Sequence, residues 1–478
     1  MSNLSDIATH TRAGNATMVD SDGVLKWAPH NLVKYSEQFD NADWSKIGVT
    51  AGADFLTEDT STGNHRVLNI TGISVPAVLH TNAIEVKPKG RTRVRITNNN
   101  LAGSTFDLVG SGSVVSGAGT ITALQDGWYR ISSELVSPTT ERLVLYLDNG
   151  TGLSYTGDGV SGIYIRNAHL YRSDLGGMVN NPSTGDSYVP TTSAAVYLPR
   201  VGHHIYNGSA WVDEGYFHES EARTNLLLNS GTLSTQSVTV TAVPHTLHFT
   251  GTGTITLSGV STAGPLVGTG TGENNRVSLT FTPTAGTLTA TVSGTVTNVQ
   301  LEAASTPSSY IPTSGSTVTR AEDTMTIPAV NMPWSGSAVS IQMEGTMTYA
   351  DLGVGPQFEF LRWKQDANNE IGLWLNTDTT RVGDFFAVQQ AAGVFDAVGS
   401  PAYSPGINVP FNIASRHGST FINGAVDGTA LTANTTPTAL PDLSATDMQI
   451  GFDFMGTIKQ FRVWADDIGD AGIAEASV

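Results

Sequence analysis

The sequence predicts an all-β protein built from three consecutive jelly-roll-like β-sandwiches behind a short N-terminal β-hairpin. Short runs of alternating apolar and polar residues dominate the chain, and a period of two is typical of half-buried strands. The 51 glycines, together with Asn, Asp and Pro, interrupt these runs at short intervals, and apolar residues at helical spacing are nearly absent. A chain of 478 residues is long enough for about three domains.

A motif that occurs twice sets the domain organisation. Each copy opens with Asn-Leu and a nearby Ser, continues as an apolar–polar strand, and closes with an aromatic–aliphatic–Pro–Thr corner followed by a basic residue. The first copy comprises residues 31–36, 167–171, 187–191 and 198–200, and the second comprises 225–230, 298–302, 310–313 and 319–321. The chain therefore holds a long and a short version of one module.

These strings resemble the carbohydrate-binding-module-like β-sandwiches of bacteriophage virion proteins, which occur in tail fibres, head spikes and particles such as gene transfer agents. The resemblance covers roughly residues 31–320. Residues 126–131 are similar to a strand of the long form, and residues 251–256 and 276–281 to strands of the short form. The resemblance implies an architecture and a virion setting. It implies no ligand residues, because the matching motifs are strand and corner signatures.

The first elements are a lead-in and the long module. Residues 1–30 are predicted to form a hairpin around the Asp20–Gly23 turn, with the segment before Thr11 docking onto the particle. Residues 31–200 are predicted to form the first sandwich, with Trp44 and Trp128 in its core. Its predicted strands are 66–71, 92–97, 128–135, 143–147 and 163–171.

A connector and the short module follow. Residues 201–224 are predicted to form a hairpin around Asn207-Gly208 that packs on its neighbours. Residues 225–324 are predicted to form the second sandwich, with strands at 238–240, 247–249, 254–257, 277–281 and 288–292. Only Phe249 and Phe281 are aromatic between residues 225 and 309. This composition indicates a thin core that leans on neighbouring domains or symmetry mates.

Residues 325–478 are predicted to form a third sandwich. Residues 414–424 and 456–464, with a helical tail from Asp467, resemble the hairpin and last strand of laminin-G or concanavalin-like jelly rolls. Predicted strands are 345–348, 358–362, 371–375, 385–389, 411–416, 420–423, 449–451 and 456–464.

Charge and cysteine content exclude several classes of function. The formal net charge of −18 at pH 7 argues against nucleic-acid binding, which depends on neutralising phosphates with Lys and Arg. It also disfavours anionic membranes. The absence of cysteine removes disulfide scaffolds, thiolate metal sites and cysteine nucleophiles.

The first residues and the hydropathy bear on location. The N-terminus lacks the basic and apolar regions of a signal peptide, and no apolar run approaches the ~20 residues of a transmembrane helix. We therefore expect a protein made in the host cytoplasm without a signal peptide, with no membrane insertion, that acts at the virion surface.

Catalytic motifs are missing from the sequence. There is no Gly-x-Ser-x-Gly elbow and no His-Glu-x-x-His, and no helix follows the Gly-rich residues 268–272 to cradle a phosphate. Glycoside hydrolysis needs two converging carboxylates, and Glu344, Glu359 and Glu370 lie on separate segments. We expect no enzymatic activity.

Sugar binding needs aromatic faces beside amides or charged groups. The third domain offers these as Trp363, Trp374, Asn376, Arg381 and Tyr403, which we name as candidate carbohydrate-binding residues. Burial in the core is the alternative for each tryptophan. Calcium at the aspartates of three loops, Asp351, Asp447 and Asp453, is a further alternative, and no other cofactor is expected.

The sequence as a whole predicts a spike or fibre on the surface of a phage or phage-like particle that binds host-surface polysaccharide for adsorption. Weak sites multiplied by copy number would give avidity, so a homo-oligomer is expected, with a trimer favoured and other virion proteins as partners. Two alternatives remain: a purely structural virion or tail component without glycan binding, and a capsule polysaccharide depolymerase.

Overall fold

The chain folds into two compact units. A contiguous unit spans Lys26–Leu198, and a discontinuous unit combines Met1–Leu25 with Pro199–Val478. The all-β prediction is confirmed, since the described part of the chain has only two α-helices, α1 (Leu4–Ile7) and α2 (Gly469–Ala476). Neither is long and apolar enough to cross a membrane. The computed structural model describes residues 4–69, 73–74, 77–98, 102–136, 140–348, 357–376, 383–400, 403, 406 and 409–478.

The lead-in confirms the predicted turn. The Asp20 carboxylate accepts hydrogen bonds from the backbone N–H groups of Asp22 (3.0 Å) and Val24 (2.9 Å), and Gly23 takes the left-handed φ of 76° that the turn requires. The strands of this segment are β1 (Thr9–Thr11), β2 (Thr17–Val19) and β3 (Leu25–Trp27).

The contiguous unit is a β-sandwich, and its predicted strands are present where residues are described. Two antiparallel sheets have the orders β15-β16-β11-β20-β7-β6 and β14-β13-β12-β18-β9-β5. Alternation along the strands sends Ile84 and Val86 from one sheet, and Val94 and Ile96 from the other, into one core. The strands are β4 (His30–Asn31), β5 (Trp44–Ile47), β6 (Val49–Ala51), β7 (Phe55–Glu58), β8 (Thr62–Asn64), β9 (Arg66–Asn69), β10 (Ile73–Ser74), β11 (Leu79–Lys89), β12 (Arg93–Thr97), β13 (Gly103–Asp107), β14 (Ser113–Ser116), β15 (Thr120–Ala123), β16 (Tyr129–Val136), β17 (Thr140–Glu141), β18 (Val144–Asp148), β19 (Ser154–Thr156), β20 (Gly162–Arg172) and β21 (Val196–Tyr197).

The two tryptophans assigned to this core behave differently. Trp44 is buried against Phe39, as expected. The core position predicted for Trp128 is wrong, because the side chain is half-exposed and is covered by the Arg166 guanidinium, 4.1 Å from its ring centroid. The adjacent Tyr129 faces the core, so alternation turns Trp128 away from it.

The connector and the second sandwich belong to the discontinuous unit. The predicted Asn207-Gly208 hairpin is confirmed by the pairing of Tyr206 with Trp211. The second sandwich has sheet orders β27-β32-β29-β30 and β31-β28-β33. The strands are β22 (Arg200–Val201), β23 (His204–Tyr206), β24 (Trp211–Asp213), β25 (Tyr216–Glu219), β26 (Arg223–Asn225), β27 (Gln236–Val240), β28 (His245–Gly251), β29 (Thr254–Gly259), β30 (Leu266–Val267), β31 (Val277–Phe281), β32 (Gly286–Ser293), β33 (Val296–Glu302) and β34 (Val318–Arg320).

The third sandwich incorporates strands from the lead-in and the connector. Its sheets have the orders β1-β35-β44-β37-β38-β39-β40 and β22-β25-β45-β36-β41-β42-β43, so β1 and β22 are edge strands. The predicted helical tail is confirmed as α2. The strands are β35 (Thr324–Ile327), β36 (Ala338–Met347), β37 (Gln357–Asp366), β38 (Asn369–Asn376), β39 (Phe385–Ala391), β40 (Val394–Ser400), β41 (Val409–Gly418), β42 (Ile422–Val426), β43 (Thr429–Ala430), β44 (Met448–Ile450) and β45 (Met455–Trp464).

The repeated motif folds into a corner centred on a buried asparagine. In the second sandwich, Asn225 donates to the carbonyl oxygens of Val299 and Ile311, both at 2.9 Å. Its side-chain oxygen accepts from the N–H groups of Leu227 (3.1 Å) and Leu301 (3.2 Å). One side chain thus joins the start of the module to its last strand and to its Pro-Thr corner.

The same bonds recur in the first sandwich, which confirms the predicted repeat. Asn31 donates to the carbonyls of Ala168 (3.0 Å) and Val189 (2.8 Å) and accepts from the N–H groups of Val33 (3.0 Å) and Leu170 (3.1 Å). Each copy also pairs its motif serine with its corner tyrosine, Ser36 with Tyr188 at 2.7 Å and Ser230 with Tyr310 at 2.8 Å.

Three arginines and two carboxylates form a buried network in the discontinuous unit, which we call the arginine cluster. Arg200 bridges Glu219 (2.6 Å) and Asp323 (2.5 Å). Arg12 contacts Asp323 at 2.8 Å, and Arg320 contacts Glu219 at 3.0 Å. All five side chains are at most 1% exposed. Arg12 directly follows β1, Arg200 begins β22 and Arg320 ends β34, so the cluster joins these three strands.

The cluster keeps both carboxyl groups ionised. Burial alone would raise the pKa of Glu219, but Arg320 and Arg200 outweigh it and lower the pKa to about 2. Burial is likewise outweighed at Asp323, where Arg200 and Arg12 hold the pKa well below its usual range. Ser309 adds neutral bonds to Glu219 from its N–H (2.7 Å) and its hydroxyl (2.6 Å).

Replacing the corner asparagine should destabilise its module. We expect Asn225→Ala to cost about 3 kcal/mol, because buried backbone groups on three segments lose their partner. Hydrogen-exchange mass spectrometry of β28 and β33 measures this local stability. Ser258→Ala, at an exposed position of the same module, is the control. Unchanged exchange in Asn225→Ala would contradict the assigned role of the corner.

Removing one carboxylate should disrupt the arginine cluster. We expect Asp323→Asn to cost about 3–5 kcal/mol, since it leaves buried arginines uncompensated, and to accelerate hydrogen exchange in β1 and β35. The neighbouring exposed Glu322→Gln is the control.

The cluster also predicts acid sensitivity. Because its carboxyls have depressed folded-state pKa values, their contribution to stability is complete above the ordinary glutamate value of 4.5 and is lost as the pH falls toward 2. Acid unfolding of the wild type in that window, with a weaker pH dependence in Asp323→Asn, is the expected result. Equal pH dependence in both proteins would count against it.

Candidate functional site

The outer face of one sheet of the third sandwich carries an aromatic surface. Strands β37 to β40 pair in antiparallel order. Trp374 lies opposite Glu359 on β37 and Phe386 on β39, and Phe386 lies opposite Gly399 on β40. Leu373 and Leu375 enter the core, so alternation directs Trp374 outward. Phe395 stacks on Trp374 with ring centroids 5.8 Å apart and is 51% exposed. We call Trp374, Phe386 and Phe395 the aromatic platform.

Two glycines let these rings lie across the sheet. A Cβ atom at Gly372 would clash with the Trp374 indole nitrogen, and one at Gly399 would come within 2.6 Å of the Phe386 ring. The rings therefore occupy the space above these glycines, where neighbouring side chains would otherwise stand. The result is a broad apolar surface on the outer face of the sheet.

Unpaired polar atoms lie beside the platform. Glu359 is directly opposite Trp374 in the sheet register. The Trp374 indole N–H and one Glu359 carboxylate oxygen are both buried and have no hydrogen-bond partner among the described residues. The other Glu359 oxygen accepts from Gln357 at 2.9 Å, and Arg362 lies 3.7 Å away as a loose ion pair.

The surroundings of Glu359 shift its pKa. Burial raises the pKa of Glu359, and the nearby Asp453 and Glu370 carboxylates raise it further against the opposing effects of Gln357 and Arg362. Glu370 itself is paired with Lys364 on the adjacent strand. The platform therefore has a donor, an acceptor and compensated charges at its edge, a combination suited to hydroxyl groups.

Trp363 and Tyr403, two of the other predicted sugar-binding residues, are not brought together with Trp374. Trp363 is 0% exposed, lies in the core and donates its indole N–H to the Thr446 carbonyl at 2.7 Å, so neither ring face is available to a ligand. Tyr403 packs edge-on against the core residue Phe385 and donates to Asp427 at 3.2 Å. Asn376 is the last residue of β38, the strand that carries Trp374. Arg381 lies outside the described residues.

Sequence reasoning missed Phe395 and the pairing of Glu359 with Trp374. The period-two pattern of β38 points to Trp374, but the partner strands and their register carry no comparable signal. For calcium, Asp351 lies outside the described residues, and Asp447 accepts the Ala329 N–H at 2.8 Å. Burial raises the pKa of Asp453. Within the described ranges, no group of three or more His, Asp or Glu residues is placed to hold a metal ion.

Comparisons with known proteins give similar solved structures only. No protein-family profile and no curated protein matches the chain. Among solved structures, the chain is similar to the Ruminococcus gnavus IT-sialidase CBM40 (13% identity, 30% of this chain and 83% of that chain, TM-score 0.24). It is also similar to the botulinum neurotoxin serotype D binding domain (9%, 32% and 40%, 0.25) and to the NanB sialidase of Streptococcus pneumoniae (13%, 31% and 24%, 0.25). TM-scores this low support no inference about function.

Substitutions of Trp363 and Trp374 should differ in their effect on the free energy of unfolding. We expect Trp363→Ala to lower the free energy of unfolding by about 3–5 kcal/mol, through the cavity and the unpaired Thr446 carbonyl. Trp374→Ala should cost far less, because its ring lies on the outer face. Hydrogen exchange in β37 and β38 reports both values, and equal effects would contradict the assignment of Trp374 to an accessible surface.

Proposed function

We propose that this protein is a glycan-binding surface component of a phage or phage-like particle, and that the aromatic platform binds host-surface polysaccharide during adsorption. The observation that carries the glycan part is the Trp374 ring, which lies across Gly372 and opposite Glu359 in the sheet register, with an N–H that no described residue accepts. The virion part is supported by the repeated module and by its resemblance to phage virion β-sandwiches.

The chemistry of a pyranose ring matches the platform. One face of many sugars presents C–H groups that pack on aromatic rings, while the hydroxyls at the ring edge need donors and acceptors. Trp374 and Phe395 supply the apolar surface, and the Trp374 N–H and the Glu359 oxygen supply a donor and an acceptor. Binding would supply partners to two buried polar atoms that have none among the described residues.

A shallow surface of this kind gives weak binding per site, so the proposal includes a homo-oligomer, with a trimer favoured. Linked sites raise the overall affinity by their effective concentration without new contacts. The second sandwich, whose core contains Phe249 and Phe281 as its aromatic residues, is the proposed subunit contact. Localisation to the virion surface, with other virion proteins as partners, belongs to the same proposal.

A second candidate function is capsule depolymerisation. Burial raises the pKa of Glu359 and of Asp453, which is the direction of shift that a general acid requires. Release of reducing ends from host capsule, abolished by Glu359→Gln, would favour this candidate over simple attachment.

The test of the main proposal is binding of the full-length protein to a glycan array and to host cells. Trp374→Ala and Gly372→Ala should each weaken binding at least tenfold, the first by removing the ring and the second by displacing it. Gly372 lies in extended strand backbone that alanine can adopt, so its effect should be confined to the platform.

Trp128→Ala is the matched control, because Trp128 is also half-exposed but lies in the contiguous unit beneath Arg166. Its binding should equal that of the wild type. Folded protein that binds neither glycans nor cells would overturn the glycan proposal and leave the structural alternative. Binding that survives both platform variants would move the site elsewhere.

A further inference from the structure

A cleft separate from the aromatic platform lies in the discontinuous unit, where the connector hairpin faces the second sandwich. Its volume is about 480 Å³, within the range of about 300–1,000 Å³ typical of small-molecule sites. Residues of β2, the β23–β24 hairpin, the 3₁₀ turn Glu273–Asn275 and the corner before Tyr310 line it. We call it the hairpin cleft.

One wall of the hairpin cleft is aromatic. Tyr206 and Trp211 are cross-strand partners in the hairpin, with ring centroids 5.3 Å apart. The Trp211 indole lies over Gly23, where a Cβ atom would clash with it. The lead-in turn thus fixes the indole from behind. The buried Met18 and Leu25 continue this apolar surface into the floor.

The opposite wall is polar and held rigidly. Arg276 binds both carboxylate oxygens of Glu273, at 2.7 and 2.8 Å, and also contacts His248 at 3.0 Å and the Asn298 carbonyl at 3.0 Å. A guanidinium only donates, so His248 accepts on Nδ1 and carries its proton on Nε2, which donates to the buried Glu302 at 3.2 Å. This chain of bonds orients Glu273 toward the cleft.

The charges decide the class of ligand. Arg276 is neutralised by Glu273, and its four hydrogen bonds within the described residues leave little capacity for an anion. An anionic ligand would also approach the Glu273 carboxylate. A purely apolar ligand would desolvate Glu273 and Asn274 without replacing their bonds to water. An uncharged molecule with both a C–H face and hydroxyl groups satisfies both walls.

We propose that the hairpin cleft is a second saccharide site, selective for uncharged sugars, in which Trp211 packs on the ring face, Glu273 accepts hydrogen bonds from hydroxyls, and the Asn274 amide donates to or accepts from them. The site uses none of the platform residues. A single chain would then carry two unlike glycan sites, and the cleft can be present whether or not the platform binds sugar.

The experiment is ¹⁹F NMR on the full-length protein labelled with 5-fluorotryptophan, which gives a resonance for each of the eight tryptophans. Trp211→Phe and Trp374→Phe assign the two resonances of interest, and Trp128 serves as an internal reference. The probes are lactose, maltose and cellobiose as neutral sugars and glucuronate as an acidic one.

We expect at least one neutral disaccharide to shift the Trp211 resonance in a saturable way, and glucuronate to leave it unchanged. Asn274→Ala, which keeps the Glu273–Arg276 pair, should weaken binding several-fold, and Glu273→Gln at least tenfold. Trp374→Phe should leave the Trp211 titration intact, so failure of the platform and failure of the cleft are seen separately.

Three results would overturn the proposal. One is a Trp211 resonance that no neutral probe shifts up to its solubility limit. Another is a shift produced by glucuronate alone, which would make the cleft an anion site. The third is a Trp211 shift that survives both Glu273→Gln and Asn274→Ala in folded protein, since the polar wall would then have no part in binding.

Discussion

Buried charges must be paired, and the arginine cluster is where the discontinuous unit meets that requirement. Arg12, Arg200 and Arg320 come from three separate segments. Removal of any one of them would leave the buried Glu219 or Asp323 carboxylate without part of its compensating positive charge. Such a network contributes less to net stability than its number of ion pairs suggests, because desolvation offsets the attraction. Its effect is positional. It fixes where β1, β22 and β34 begin or end, and therefore where both sheets of the third sandwich receive their edge strands.

Much of the fold could be predicted because its signals are local. The period-two runs located the strands, and the repeated Asn-Leu…Pro-Thr strings identified two modules whose corners share the same hydrogen bonds around Asn31 and Asn225. The arginine cluster could not be predicted as a cluster. Glu219 and Asp323 are 104 residues apart, and a sequence does not show which carboxylates pair with a given arginine. Nor does it show that strands of the lead-in and the connector join the sheets of one distant sandwich.

The candidate site was predicted only in part. A β-bulge explains why Trp374 lies on the outer face while Trp363 lies in the core. The register of β37 shifts between Glu359 and Leu361. Without that shift, residues 359, 361 and 363 would share a face, and Trp363 would lie on the same side of the sheet as Trp374. The bulge turns Leu361 and Trp363 into the core while Glu359 stays outside. Gly372 and Gly399 then give the outer rings room to lie down, a role that their sequence context does not reveal.

The pairing of β1 with β35 has a consequence for how the protein is made. His10 and Asp323 are 313 residues apart, so at ribosomal speeds the lead-in strand emerges roughly 15–60 s before its partner. During that interval the contiguous unit can fold on its own, while residues 9–12 remain without their sheet. Strand β1 thus leaves the ribosome early and is among the last strands to be placed. Completion of the third sandwich, and with it the sheet that carries the aromatic platform, becomes a late event in biosynthesis.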